Sequence, residues 1–113
     1  MTIKTKKDEM SMVAMQVILH AGDAKIMIEK ALDCIKDFEF EKADEILKEA
    51  NSKIINAHEE QTKLVQSEAG GTDYPNSLLF NHAQDTLMTT MTYYDMAKQL
   101  SAVVRSIKEK MNL

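Results

Sequence analysis

Four side chains in this sequence could do acid–base, nucleophilic or metal chemistry beyond ordinary surface carboxylates: His20, His58, His82 and Cys34. A di-iron helical bundle would repeat Glu-x-x-His, but the residue three before His58 is Ile55 and before His82 is Leu79. One cysteine with scattered histidines has no zinc spacing, and nothing around Cys34 suggests a Cys–His nucleophile. His20 reads as a rim histidine bonded to Asp23 or solvent, and His58, beside Glu59 and Glu60, as a boundary residue. His82 keeps different company. Asp85 follows three residues later, Gln84 lies between them, and Thr86, Thr89, Thr90 and Thr92 come next. On a helix, His82, Asp85, Thr86 and Thr89 form one polar strip. A buried face accepts such groups only with partners. This strip therefore meets solvent or another protein, or its polar groups are used.

The elements that carry these residues are helices. Glycine and proline are confined to Gly22, Gly70, Gly71 and Pro75, which leaves long uninterrupted stretches. The first helix is expected to start near Asp8 or Ser11 and run to about Lys36. Its seam is Met10, Ala14, Val17, Ala21, Ala24, Ile28, Ala31 and Ile35, the alternating three–four spacing of bundle packing. Gly22 suggests close approach of another backbone. After a break near Asp37 to Glu39, a second helix is expected from about Phe40 to Ser67, with seam Phe40, Ala43, Leu47, Ala50, Ile54, Ala57, Gln61 and Leu64. Gln61 is its polar exception. The link Glu68 to Asn76 is the one clear loop, and Asn76 or Ser77 can cap a third helix running to about Lys110. Its apolar positions are Phe80, Ala83, Leu87, Met91, Tyr94, Ala97, Val104 and Ile107.

The expected fold is all-α: a three-helix up-down-up antiparallel bundle. Residues 1–113 form a single domain, with 1–9 a flexible N-terminus whose Lys4, Lys6 and Lys7 make a frayed, solvated basic cluster. Apolar residues outside the seams, such as Met12, Met15, Leu19 and Met88, suggest self-association. The net charge of −4, the single arginine (Arg105) and the lack of an aromatic platform argue against nucleic acid. No apolar run reaches the roughly 18 residues of a membrane span, and no export signal is read. With one cysteine and hence no intrachain disulfide, a cytoplasmic setting is expected, with Cys34 packed as a small apolar residue.

His82-Ala83-Gln84-Asp85-x-Leu87-Met88-Thr89 resembles the active-site motif of the enzyme IIA proteins of the lactose/cellobiose class, part of the bacterial phosphoenolpyruvate-dependent sugar phosphotransferase system. Two further stretches are similar to that family: Ala57-His58-x-x-Gln61-Thr62-x-Leu64 followed by Glu68-Ala69-Gly70, and His20-Ala21-Gly22-Asp23-Ala24. The likeness spans roughly residues 10 to 110.

The resemblance implies a phosphocarrier in sugar uptake. His82 would accept a phosphoryl group from the histidine phosphocarrier protein and pass it to a cysteine of the cognate IIB component. It also implies a homotrimer in which three copies of Asp85 bind a divalent cation, expected to be Mg2+, on the threefold axis. Gln84 and the threonine hydroxyls are candidate donors to phosphoryl oxygens. Family members often carry histidine where this chain has Thr86, so any help from that histidine is missing here. A non-catalytic trimeric helical interaction or regulatory module is the competing reading, and a metal-binding helical protein without phosphoryl chemistry is a third. Acid-labile phosphate on His82 separates the first from the others.

Overall fold

Runs of apolar residues at three–four spacing fold as three helices in the computed structural model, which describes residues 5–112: α1 (Lys6–Lys36), α2 (Phe40–Ala69) and α3 (Leu78–Lys110). No strand occurs among the described residues. The molecule is a rod 62 Å long and 26 by 19 Å across. All eight expected seam positions of α1 are buried, as are Ala43, Leu47, Ala50, Ile54, Ala57 and Leu64 of α2. Cys34 packs among them as a free thiol. Alanine is frequent in both seams, so the helices approach closely, and Ile28, Leu87 and Val17 supply the bulkiest fully buried side chains.

α1 starts earlier than expected. Thr5 accepts a hydrogen bond from the Asp8 backbone N–H at 3.1 Å, while the Asp8 carboxylate accepts from the Thr5 N–H at 3.3 Å. This reciprocal capping box satisfies two N–H groups that a helix start leaves open. Of the expected flexible end 1–9, residues 6–9 are therefore helical, and 1–4, including Lys4, lie outside the described residues. Lys6 pairs with Glu9 at 3.4 Å and sits 5.7 Å from the Tyr74 ring centroid.

The α1–α2 connection is a Schellman turn. The Glu39 N–H reaches the Cys34 carbonyl (2.9 Å) and the Phe38 N–H reaches that of Ile35 (3.1 Å). Phe38 occupies the left-handed position usually given to glycine, with φ of 60°. Its ring stacks on Phe40 with centroids 5.9 Å apart. Arg105, late in α3, lies 4.9 Å from the Phe40 ring centroid and donates to the Phe40 carbonyl (3.2 Å) and Asp44 (2.6 Å). The lone arginine thus ties the end of α3 to the start of α2, and its planar fork suits both stacking and paired donation.

α2 ends at Ala69, two residues beyond the expected Ser67. Gly71 in the link has φ of 108°, a conformation open to glycine and strained for side chains. Gly22 differs from expectation: a Cβ there would meet nothing within 4 Å. The close approach it suggested is absent among the described residues.

Candidate functional site

α3 places His82 in its second turn. Ser77 caps the helix, its hydroxyl accepting from the Phe80 N–H at 3.0 Å. Phe80, Ala83 and Leu87 bury the opposite face against the core. This anchoring fixes the backbone on both sides of His82 while the imidazole stays exposed, with no side-chain partner among the described residues. Asp85 is also exposed, and among the described residues its carboxylate makes no ion pair or hydrogen bond. The described residues of one chain contain no cluster of three His, Cys, Asp or Glu side chains able to hold a metal. A single chain offers only Asp85 here as a hard oxygen ligand, beside the imidazole of His82.

Gln84 lies elsewhere. Two residues along a helix is about 200° around the axis, so Gln84 faces away from His82 and toward α2. Its side-chain oxygen accepts from the Gln61 amide at 3.2 Å. The polar exception in the α2 seam is thereby explained: Gln61 and Gln84 satisfy one another at a half-buried contact. Support of His82 by Gln84 within the same chain is not arranged by this geometry.

The threonines also differ from expectation. The Thr86 hydroxyl donates to the His82 carbonyl (2.8 Å), Thr89 to Asp85 (2.8 Å), Thr90 to Thr86 (2.7 Å) and Thr92 to Met88 (3.2 Å). Each hydroxyl proton is spent one turn back on the helix, so these oxygens can accept but are not free donors. Thr86, Thr89 and Thr90 border a shallow hollow of about 300 Å³ with Lys25, Glu29 and Tyr93, between α1 and α3.

His58 and His20 stay apart from this strip. His58 is exposed, and its Nδ1 lies 3.4 Å from the Thr62 hydroxyl one turn on. His20 is half-buried, a rim position as expected, and its ring makes no hydrogen bond among the described residues, which leaves solvent rather than Asp23 as its partner. Tyr74 is a feature the sequence reading missed. It is buried, with its hydroxyl 3.3 Å from the Glu9 carboxylate and 3.1 Å from Ser67 Oγ. It pins the link before α3 to α1 and α2. An aromatic between Gly71 and Pro75 in an otherwise polar loop was the available signal.

The profile of the family described as "PTS system, Lactose/Cellobiose specific IIA subunit" matches residues 12–105. The chain belongs to this family. It is thus a IIA component of the sugar phosphotransferase system, and His82 lies within the matched span. Among IIA relatives, the lactose-specific EIIA component of Staphylococcus epidermidis is 42% identical over 94 residues, covering 83% of this chain and 90% of the relative. The lichenan-specific phosphotransferase enzyme IIA component of Bacillus subtilis is 37% identical over 103 residues, covering 91% and 94%. The cellobiose-specific enzyme IIA of Bacillus anthracis, a crystal structure, superposes with a TM-score of 0.85 at 32% identity over 96% of both chains. A IIA component works within a phosphotransfer cascade with partners such as IIB. No described helix is long and apolar enough to cross a membrane.

Proposed function

We propose that His82 is the phosphoryl carrier of this IIA component, taking its phosphoryl group from the histidine phosphocarrier protein and delivering it to a cysteine of the cognate IIB. The observation that carries this reading is an exposed imidazole on a helix anchored from behind by Phe80, Ala83 and Leu87. A neutral imidazole nitrogen is nucleophilic near neutral pH without a separate base. Phosphoryl transfer depends mainly on positioning and charge stabilisation. A rigid, accessible histidine suits a group that must meet two partners in turn. The setting of this traffic is the cytoplasm.

The subunit is an up-down-up antiparallel bundle that assembles as a homotrimer. Contacts linking Arg105 with Asp44 and Gln84 with Gln61 support opposite directions for α2 and α3. Exposed Met96, Val103 and Ile107 continue the stripe that begins at Asp85, which supports burial of this face by other copies. Three Asp85 carboxylates would meet on the axis, and oxygen donors of this kind suit Mg2+. The cation would neutralise charges that otherwise repel.

Incubation with phosphoenolpyruvate, enzyme I and the histidine phosphocarrier protein tests the carrier role. One acid-labile phosphate per chain is expected, absent from His82→Ala and retained in His58→Ala and His20→Ala. Wild-type protein that stays unphosphorylated beside active upstream components would overturn the reading.

A further inference from the structure

We infer that Thr86 is a positioning residue that selects the reactive nitrogen of His82, by accepting a hydrogen bond from its Nδ1–H and leaving the Nε2 lone pair outward. The inference deepens the proposed carrier function and rests on it. Three observations combine. Thr86 lies one helical turn beyond His82, on the same face. Its hydroxyl proton is already donated to the His82 carbonyl at 2.8 Å, so what the oxygen still offers is acceptance. The chain also contains the same pair a second time: in α2, Thr62 lies one turn beyond His58, and its hydroxyl is 3.4 Å from Nδ1. In that pair the hydroxyl, which makes no hydrogen bond to the His58 carbonyl, lies beside the ring nitrogen nearer the backbone. In α3 the ring and the hydroxyl are not in hydrogen-bond contact, and the proposed bond requires rotation of the exposed His82 side chain.

A neutral imidazole has one N–H and one lone pair, and the partner of one nitrogen sets the role of the other. With Nδ1–H held by Thr86, the Nε2 lone pair sits at the tip of the side chain, where a docking protein arrives. In the transfer step, Nε2 forms a bond to phosphorus as the N–P bond of the incoming phosphohistidine breaks, its electron pair returning to that donor imidazole. The Nδ1 proton stays on the His82 ring. Positive charge that develops there strengthens the hydrogen bond to Thr86 Oγ1. Thr86 therefore does by acceptance what a titrating side chain at this position is not present to do. Asp85 is the competing acceptor, three residues from His82 and also exposed.

The tautomer can be read in the unphosphorylated protein by nitrogen-15 NMR of the His82 ring, at a pH where the ring is neutral. Wild type and Thr86→Ser are expected to hold the proton mainly on Nδ1, and Thr86→Val to move it mainly to Nε2. Asp85→Asn should leave it in place. Phosphate uptake should slow about tenfold in Thr86→Val and recover in Thr86→Ser. A Thr86→Val protein with wild-type tautomer and rate overturns the inference while leaving the carrier role intact. So does a tautomer that follows Asp85 instead. Wild-type protein that takes up no phosphate overturns the carrier role whatever the tautomer. Circular dichroism of each variant checks that α3 is intact.

Discussion

His82 and Tyr93 show how one helix can expose one ring and shelter another. Tyr93 faces the groove between α1 and α3, lined by Leu32, Ile35, Leu100 and Val104 with Glu29, Asp33 and Lys36. Burial raises its phenol pKa above the ordinary tyrosine value, the carboxylates of Glu29 and Asp33 add to the rise, and Lys36 opposes it. Because the folded state holds this proton more tightly than the unfolded chain, alkaline pH favours unfolding. The associated loss of stability begins near the ordinary value of about 10 and continues through the raised one. Phenolate absorbance should show a late-titrating component that is missing in Tyr93→Phe and shifted downward in Glu29→Gln. The same variants should lose less stability on alkaline denaturation. A late step unchanged in both would mean that another group causes it. Residue by residue, sequence reading located the exposed His82 but not the pairing of Gln84, because its partner Gln61 sits on another helix. The threonine cluster was legible as a cluster, whereas the spending of its protons on backbone carbonyls depends on side-chain rotamers.

At the scale of the helix, apolar spacing was a good guide wherever the seam consists of apolar residues, as in α1. In α3 it held for Phe80, Ala83, Leu87 and Ala97 but missed the small polar residues that complete the seam. Thr90 and Ser101 are buried, while Met91, Tyr94 and Val104 are only half-buried and Ile107 is exposed. Thr90 is tolerated inside because its hydroxyl bonds to its own helix at 2.7 Å, removing the cost of an unpaired buried group. A side chain's type told less than its phase along the helix. Gly22 offers a test at this scale. It lies mid-helix in α1, and a Cβ there would meet no atom within 4 Å. Gly22→Ala should therefore raise stability by about 0.5–1 kcal/mol, through lower unfolded-chain entropy and better helix propensity. Chemical denaturation of the two proteins measures it. Destabilisation, or a change in assembled mass, would place another copy's backbone against Gly22.

For the whole molecule, the face of α3 turned away from its own core decides what the rod does next. Asp85, Met96 and Ile107 are spaced by 11 residues, three turns of helix, so they fall on one line along the rod. Met96 is 54% exposed and Val103, one turn before Ile107, is 51% exposed. An apolar line of this length favours burial against copies of itself, yet it starts at a carboxylate. In the proposed trimer, three such carboxylates converge. Two unit charges about 4 Å apart repel by roughly 4 kcal/mol at an effective dielectric near 20. A shared cation offsets this, and so does removal of the charge. The two remedies make opposite predictions for a chelator. Wild-type protein should lose thermal stability when EDTA is added and regain it with Mg2+. Asp85→Leu, with packing in place of charge, should remain trimeric, melt higher than the metal-free wild type and ignore both additions. Light scattering with and without chelator gives the mass, and calorimetry gives the melting temperature. If Asp85→Leu dissociates, or if wild-type protein is monomeric throughout, Asp85 does not sit on a shared axis. The apolar stripe would then have to be covered by a different partner.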